Sequence, residues 1–443
     1  MVQRRGRRGI RGAAALVALL FLLLASDAQA ATIPVTTTQD ELNADGDCSL
    51  REAIEAANTN AAVDSCTAGS GADIVSLAAA TYALSVTGTL EDANATGDLD
   101  ITSDVTISGA GSTHSVIDAD GIDRVLDVRS SSSLTINRAR VTDGCAAPEP
   151  TSAAGGGVRV TSGSSLAVTR AELRGNILCA GGEGGGIYVD SGASATLDKS
   201  TLAQNSAGNN GGGIAVYGSV TVTESTFSGN EAGNGGGIYN NQGTATITNS
   251  TFSGNKANTD GGGLAVAGPS GTTTLMHVTV AGNSAHNFGL TGDGGGLRIY
   301  SGANITLNSS LIADNSVASP GQGPDCFGAV TTSNGRNLVE DTTGCTGLAG
   351  GDLTGQDPAL SPLANNGGPT KTRAIAATSP AIDAAGPGCP PPATDQRGVT
   401  RAQGAACDIG AFERESAPVG TTIAVDTTQD ELNGDGDCSL REA

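Results

Sequence analysis

The chain of 443 residues has no tryptophan, only 2% aromatic residues and three histidines. So few aromatic rings leave little surface on which sugars or bases could stack. Lysine and arginine together number 23 against 45 aspartates and glutamates, so the formal net charge is −22. A surface this acidic repels nucleic acid and anionic lipid, and we expect neither as a partner. After the first thirty residues no apolar run is long enough to span a membrane, so no membrane span is expected in the mature chain.

The first thirty residues differ in composition from the rest. Five arginines precede an apolar run from Ala13 to Ala25, and Ala28-Gln29-Ala30 has the small residues of a cleavage site. This order predicts a secretory signal peptide over residues 1–30. We therefore expect a secreted protein, with attachment to a cell surface through downstream sequence as an extension of that prediction. An uncleaved membrane anchor is the alternative.

Nine cysteines in an exported chain indicate disulfides. Eight of them lie in neighbouring pairs along the sequence. Proximity alone predicts the disulfides Cys48–Cys66, Cys145–Cys179, Cys326–Cys345 and Cys389–Cys407, and other connectivities stay open. The ninth cysteine is Cys438.

The middle of the chain repeats one pattern six times. Each copy has three glycines, an apolar pair, a strand rich in threonine and serine, and a closing asparagine. The triplets begin at Gly155, Gly184, Gly211, Gly235, Gly261 and Gly294, so the period is 24 to 33 residues. A period in this range indicates stacked repeats. Short alternating strands without a helical period predict an all-β fold, with one coil of a parallel β-helix per repeat over residues 71–319.

Stacked coils align equivalent side chains at the strand spacing of about 4.8 Å. Two inward ladders are predicted: Ile187, Ile214, Ile238, Leu264 and Leu297, and also Leu173, Leu202, Phe227, Phe252, Val280 and Ile312. The closing asparagines predict a structural ladder, because their amides can bond to the copies on the adjacent coils. These residues are Asn176, Asn205, Asn230, Asn255, Asn283 and Asn315. A row of ligands is the alternative interpretation of the asparagines.

The repeat carries a family resemblance. Gly236-Gly237-Ile238 and Phe252-Ser253-Gly254-Asn255 resemble the G-G-A-I and F-x-x-N motifs of polymorphic outer membrane proteins. The resemblance implies a right-handed parallel β-helix of the pectin lyase-like kind. It covers only the middle of the chain.

The N-terminal segment carries a second resemblance. Residues Cys48 to Ala53 read C-S-L-R-E-A and match in full the motif after which a bacterial secreted family is named, which implies a cap over residues 31–70. Ser49 and Glu52 form a capping-box pattern that predicts a helix from Leu50 to Asn58. A short amphipathic helix at this point can cover the open end of the solenoid.

The same turn also fits the spacing of a calcium-binding EF-hand loop. The candidate ligands are Glu41, Asn43, Asp45, Asp47 and Glu52. An extended segment precedes the turn where an EF-hand has a helix, so a cap without calcium is the favoured interpretation. We expect no other cofactor.

Four sequence blocks within residues 320–413 resemble, in order, the choice-of-anchor Q domain. The resemblance implies a region that closes a β-helix and precedes a cell-surface anchor. Asp383, Asp395, Arg397 and Asp408 predict a carboxylate–guanidinium pair that holds the last coil, with catalysis as the alternative. Residues 414–443 read as a linker and a shortened second copy of the N-terminal motif, which includes Cys438. This copy predicts that the chain is a fragment of a longer protein.

We expect a secreted or surface-displayed adhesive or structural module, without catalytic residues, that faces an unknown extracellular ligand or surface. The first alternative is a lyase or hydrolase of acidic polysaccharide. Asn258-Thr259-Asp260 matches one hydrolase motif, but no coil gathers carboxylates beside a basic residue. The second alternative is an ice- or mineral-binding surface made by Thr221, Thr223, Thr244, Thr246 and Thr248. Variable coil lengths argue against a regular lattice there.

Overall fold

The computed structural model describes Met1 and residues 29–415, except for 90, 147–153, 180, 287–291 and 387. The parallel strands from Thr32–Pro34 to Leu353–Thr354 form a parallel β-helix, with one helix, Leu50–Thr59, among the described residues. The prediction of an all-β parallel β-helix with a short N-terminal helix is confirmed. The predicted signal peptide lies almost entirely outside the described residues, and the second motif copy with Cys438 lies wholly outside them.

Three long parallel sheets form the sides of the solenoid, numbered here in the order in which each coil enters them after its glycines. Sheet I contains Leu99–Ile101, Leu126–Val128, Val158–Val160, Ile187–Val189, Ile214–Val216, Ile238–Asn241, Leu264–Ala267, Leu297–Ile299, Cys326–Ala329 and Cys345–Thr346. Sheet II contains Thr32–Pro34, Asp73–Ser76, Val105–Ser108, Ser133–Asn137, Ser165–Thr169, Ser194–Asp198, Ser219–Thr223, Thr244–Thr248, Thr272–Met276, Asn304–Asn308 and Thr332–Ser333.

Sheet III contains Thr81–Ala83, Val116–Asp118, Arg140–Thr142, Glu172–Arg174, Thr201–Ala203, Thr226–Ser228, Thr251–Ser253, Thr279–Ala281, Leu311–Ala313, Leu338–Val339 and Leu353–Thr354. Two short sheets follow the asparagine turn. They consist of Cys145–Ala146 with Ile177–Leu178, and of Glu231–Ala232, Lys256–Ala257, Ser284–Ala285 and Ser316–Val317.

The core is a set of aliphatic and aromatic ladders inside these sheets. Ile187 is paired in register with Ile214, and Phe227 with Phe252, as the repeat pattern predicts. The rings of Phe227 and Phe252 stack with centroids 4.5 Å apart, and both side chains are fully buried. A single coil would leave such residues exposed, so each coil depends on its neighbours for burial.

The glycine triplets allow two coils to approach closely. Gly235 has a φ of +63°, a conformation that glycine adopts without steric cost. A Cβ on Gly236 would lie 2.4 Å from the carbonyl oxygen of Lys256. A larger residue there would force adjacent turns apart.

The six closing asparagines are buried and hydrogen-bonded from coil to coil. The Nδ2 of Asn205 donates to Oδ1 of Asn230 at 2.9 Å, and the backbone N–H of Asn205 donates to the same oxygen at 3.1 Å. The same pattern runs from Asn176 to Asn315, whose amide donates to Asp325. Each Nδ2 also donates to a carbonyl of the preceding coil. These amides have no donor left for a ligand, which favours the structural interpretation.

The C-terminal region turns back after Leu353–Thr354 and packs against the outer face of sheet III. Ile375, Ala381 and Ile409 form a second apolar cluster with Leu311 and Leu338. In the coils that it covers, outward threonines such as Thr251 are fully buried. This region therefore lies along the flank of the solenoid.

Four disulfides are present, with the pairings that sequence proximity indicates. Cys145–Cys179 joins adjacent coils with a Cα–Cα distance of 5.4 Å. Cys326–Cys345 also joins consecutive strands of sheet I. Four disulfides fit an extracellular protein. No helix in the described part of the chain combines the length and apolarity that a membrane crossing requires.

Candidate functional site

Four of the five tyrosines of the chain lie on the outer surface of sheet I, which we call the tyrosine face: Tyr188, Tyr217, Tyr239 and Tyr300. Tyr188 pairs in register with Ala215, which pairs with Tyr239. Tyr188 lies between two buried aliphatic residues, and the other three tyrosines each follow one, so the rings point away from the core. All four rings are half-buried. The alanines in register with these rings, Ala215 and Ala265, are fully buried.

Acidic and amide side chains border this face in the position just before each glycine triplet. The hydroxyl of Tyr217 donates to Oε2 of Glu183 at 2.5 Å, and Asn210 donates to the other oxygen of Glu183. The hydroxyl of Tyr300 donates to Oδ2 of Asp260 at 2.9 Å. These bonds fix two of the rings. The hydroxyls of Tyr188 and Tyr239 have no hydrogen-bond partner among the described residues.

One end of the face carries a cation above aromatic rings. The guanidinium carbon of Arg298 lies 4.7 Å from the ring centre of Tyr300 and 4.5 Å from that of Phe327. Its Nε lies 3.4 Å from Oδ2 of Asp260. A depression of about 680 Å³ is lined in part by Arg298, Tyr300 and Phe327. Such a mixture of ring faces, one cation and hydroxyls suits a polar ligand with apolar faces.

The tyrosines remain neutral hydrogen-bond donors at physiological pH. Burial, with the nearby Asp190 and Glu183 carboxylates, raises the pKa of Tyr188 to about 12. Burial and the hydrogen bond to Glu183 also raise the pKa of Tyr217, and burial with Asp260 raises that of Tyr300. None of them is therefore poised to act as a base.

The low aromatic content of the sequence gives no indication of this face. The positions of the tyrosines relative to the glycine triplets do: Tyr188 and Tyr239 are the second residue after a triplet, and Tyr217 and Tyr300 are the fourth. Aligning the triplets places all four side chains on one surface. The aromatic content alone, without the alignment of the repeats, predicts little surface on which sugars could stack.

Carboxylates beside basic residues do occur, so the expectation that no coil gathers them is wrong. Asp100 and Asp127 sit on adjacent strands of sheet I, next to Asp98, Arg124 and Arg129. One coil supplies Asp98 and Asp100 and the next supplies the other three members, so a search within single coils finds only part of the group. Burial raises the pKa of Asp98 to about 7 and that of Asp100 to about 8.

Most of this ionic cluster is buried, and it already holds cations; only Asp92 is largely exposed and Arg129 partly so. Asp98, Asp100, Arg124 and Asp127 are at most 5% exposed. Asp92, Asp100 and Asp127 converge as a metal site would require, but Nη1 of Arg129 contacts all three carboxylates. The arrangement is that of a buried ion-pair network. Its one exposed carboxylate, that of Asp92, is paired with Arg129.

Asp260, from the predicted hydrolase motif, belongs to the edge of the tyrosine face. Its Oδ1 accepts the backbone N–H of Asp293 at 2.9 Å, and its Oδ2 accepts the hydroxyl of Tyr300. Asp260 is 8% exposed. Both oxygens are thus occupied by fixed donors.

The candidate calcium turn is only partly assembled. Glu41, Asp45 and Asp47 bring carboxylate oxygens within 4.8 Å of one another. Partial desolvation and repulsion among these carboxylates raise the pKa of Glu41 and Asp47. Three carboxylates are a ligand set that calcium accepts.

The other two candidate ligands face elsewhere. Glu52 accepts the backbone N–H of Asn43 with Oε1 and that of Ser49 with Oε2, at 3.0 and 2.9 Å. The Asn43 amide nitrogen, a donor, points at Glu41. Glu52 thus completes the capping box and has no oxygen directed at an ion. A calcium ion here would rest on Glu41, Asp45 and Asp47 alone.

The acidic and basic residues of the C-terminal region pair with each other. Arg397 bonds to Asp395 at 2.8 Å and lies over the ring of Phe412, while Asp408 accepts the N–H of Asp383. The buried Arg401 pairs with Glu413, a pair that the sequence analysis does not anticipate. The predicted pair forms between Asp395 and Arg397, but both partners belong to the C-terminal region, so the expectation that it holds the last coil is wrong. Contacts with the solenoid come instead from Arg401, which donates to Asn249 at 3.3 Å, and from Arg373, which lies 3.4 Å from Asp314.

One comparison with protein families agrees with the architecture. Residues 156–343 match the family model described as the right-handed beta helix region. The fold and this match describe a β-helical repeat protein. The crystal structure of pectate lyase Pel9A aligns with 14% sequence identity and a TM-score of 0.47, over 87% of this chain and 96% of that one. The comparison with curated proteins finds no match.

Proposed function

We propose that this chain is a secreted, non-catalytic adhesion module that binds extracellular carbohydrate through the tyrosine face. The observation that carries the proposal is the gathering of four tyrosines on one exposed surface of a chain that has only five. Ring faces bind the apolar faces of sugars, and the unpartnered hydroxyls of Tyr188 and Tyr239 can bond to sugar hydroxyls. The disulfides and the predicted signal peptide support an extracellular setting. Attachment to a cell surface through further sequence is part of the same proposal.

The acidic groups on this face are all engaged in hydrogen bonds, which supports a non-catalytic role. Glu183 and Asp260 accept hydrogen bonds from tyrosine hydroxyls and neighbouring amides. A general base or acid must reach a substrate proton directly or through one water. These carboxylates are instead committed to holding the rings in place.

The test is binding of the whole chain to immobilised extracellular polysaccharides, with a Tyr188→Ala/Tyr239→Ala double variant. Truncation of a tyrosine that acts as a binding hot spot costs about 2 kcal/mol or more, so we expect the double variant to bind at least about tenfold more weakly. Thr221→Ala/Thr246→Ala on sheet II is the matched control and keeps wild-type binding. Equal binding by the tyrosine variant would contradict the proposal.

A parallel assay addresses the enzyme alternative. The chain is incubated with polygalacturonate, with and without calcium, and unsaturated products are followed by ultraviolet absorbance. We expect no products. Steady product formation that Asp260→Asn abolishes would replace the adhesion proposal with a lyase.

One observation favours a second candidate, the ice- or mineral-binding surface. Six outward threonines of sheet II are paired in register: Thr196, Thr221, Thr246, Thr274, Thr306 and Thr332. The coils differ in length mainly in their turns, so the threonines of sheet II stay in register. Variable coil length therefore does not argue against a regular threonine surface. Inhibition of ice recrystallisation that Thr221→Lys removes would support this candidate.

A further inference from the structure

A cavity of about 610 Å³ opens on the outer surface of sheet III. Its floor includes Thr201, Thr226 and Ser228, and one wall is the C-terminal segment from Asn365 to Lys371. Five cationic side chains line it, together with a single carboxylate, that of Glu172. The cations are Arg138, Arg170, Arg174, Lys199 and Lys371. We call this site the basic cavity.

So many like charges in one place are unusual for this protein. The chain has a formal charge of −22 and 23 lysines and arginines in all, of which five line one cavity. Like charges that lie side by side repel and destabilise the fold. A concentration of this kind needs a compensating anion, from the protein or from a ligand.

The repeat itself does not require these cations. Arg138, Arg170 and Lys199 occupy the same turn position on three successive coils, with φ values of +55°, +48° and +50°. Backbone hydrogen bonds of 3.1 and 3.0 Å link these turns, so the cations stack at about the strand spacing of 4.8 Å. A later coil has Asn249 at this position, and asparagine tolerates left-handed backbone better than arginine.

The protein supplies only part of the neutralising charge. Lys199 pairs with Glu224 at 3.2 Å, and Arg174 lies 3.5 Å from Glu172, which is already bonded to Arg140. Among the described residues, the side chains of Arg170 and Lys371 have no ion-pair or hydrogen-bond partner. Arg170 lines the cavity from a turn of the solenoid, and Lys371 lines it from the C-terminal segment.

We propose that the basic cavity binds an oligosaccharide that carries sulfate or carboxylate groups. Cations repeated at the coil spacing suit a polymer with anionic groups along its length, and guanidinium groups bind both oxyanions in bidentate geometry. Threonine and serine hydroxyls on the floor match sugar hydroxyls. The volume falls within the range of small-molecule sites, which suits a few sugar units. This site is separate from the tyrosine face.

The experiment is titration calorimetry of the whole chain with four probes at one ionic strength. The probes are a sulfated heparin-derived tetrasaccharide, an oligogalacturonate of equal length, neutral maltotetraose and inorganic sulfate. We expect one or both acidic oligosaccharides to bind at least tenfold more tightly than the neutral sugar or the free anion. The stronger acidic probe identifies the anionic group. Equal binding of inorganic sulfate, or of a single-stranded DNA of matched charge, would overturn the proposal.

Variants show whether the cavity is the binding site. Arg170→Asn should weaken binding about tenfold, because it removes a charged hydrogen-bond donor that the protein itself leaves unpaired. Arg138→Asn/Arg170→Asn/Lys199→Asn should abolish it. This triple variant should unfold at the same or a higher temperature, because repulsion is removed and asparagine suits the turn.

Two controls separate this site from others. Lys256→Gln removes one positive charge outside the cavity and should leave binding unchanged. Tyr188→Ala/Tyr239→Ala should also leave acidic-oligosaccharide binding unchanged. Wild-type binding by the triple asparagine variant, or loss of binding in the tyrosine variant, would contradict the assignment to the basic cavity.

Discussion

At the residue scale, His277 shows how the C-terminal region changes the chemistry of a repeat position. It occupies the same left-handed turn position as Asn249, with a φ of +51°. The C-terminal region covers it, so the residue is 1% exposed. Burial, with the nearby Arg401 guanidinium, lowers the pKa of His277 to about 3. The ring is therefore neutral in the folded protein at any pH above this value.

The buried imidazole predicts an acid-sensitive fold. Below pH about 6.5 the unfolded chain binds a proton at this histidine while the folded chain does not, so protonation favours unfolding. Relative to His277→Asn, the wild type should lose up to about 1.4 kcal/mol of unfolding free energy per pH unit between pH 6 and pH 4. Urea titrations of both proteins at each pH measure the difference. Parallel pH profiles would show that the ring takes up its proton in the folded state.

At the element scale, the helix Leu50–Thr59 owes its start to two residues. Ser49 Oγ accepts the N–H of Glu52 at 3.1 Å and donates to the carbonyl of Glu41 at 2.8 Å. In turn, Oε2 of Glu52 accepts a hydrogen bond from the backbone N–H of Ser49. The helix buries Leu50, Ala53 and Ile54 against the first coils. The cap therefore fixes how the helix covers the end of the core.

Loss of this cap has a predictable cost. Ser49→Ala should lower the free energy of unfolding by about 1–2 kcal/mol, the usual effect of removing an N-cap side chain. Thr59→Ala, in the exposed last turn of the same helix, should change it by less than about 0.5 kcal/mol. Chemical denaturation followed by circular dichroism compares the two. A similar effect of both substitutions would contradict the role given to Ser49.

The same scale explains what the sequence can predict. The spacing of the repeat predicts that Ile214 and Phe252 point inward, because equivalent positions on adjacent coils pair in register. The tyrosine face and the Asp100–Asp127 cluster are harder to predict, because their members come from different coils. Lys371 reaches the basic cavity only because a distant segment turns back onto sheet III, and no local pattern encodes that contact.

At the scale of the whole molecule, the C-terminal region and the solenoid meet at Gln396. Its Oε1 accepts the hydroxyl of Thr251 at 2.6 Å. Its fully buried amide nitrogen lies 2.9–3.2 Å from four oxygens, which belong to Ser225, Thr226, Thr370 and Lys371. One side chain thus joins two coils to the loop that forms a wall of the basic cavity.

Gln396→Ala should consequently loosen one part of the molecule without unfolding the rest. The substitution leaves buried hydroxyls and carbonyls without partners, at about 1–3 kcal/mol for each unsatisfied group. Coils of a solenoid are stabilised by their nearest neighbours, so coils far from this contact should stay protected. We expect faster amide hydrogen exchange across residues 357–415 and unchanged exchange around Ile136.

The same substitution tests whether the C-terminal region completes the basic cavity. A loosened loop carries Lys371 away from Arg170, so acidic oligosaccharide should bind several-fold more weakly to Gln396→Ala. Gln403→Ala is the matched control, because its side-chain amide donates only to the neighbouring Thr400. Faster exchange over 357–415 with undiminished binding would mean that the solenoid alone forms the site. Unchanged exchange would contradict the role of Gln396 as the joining residue.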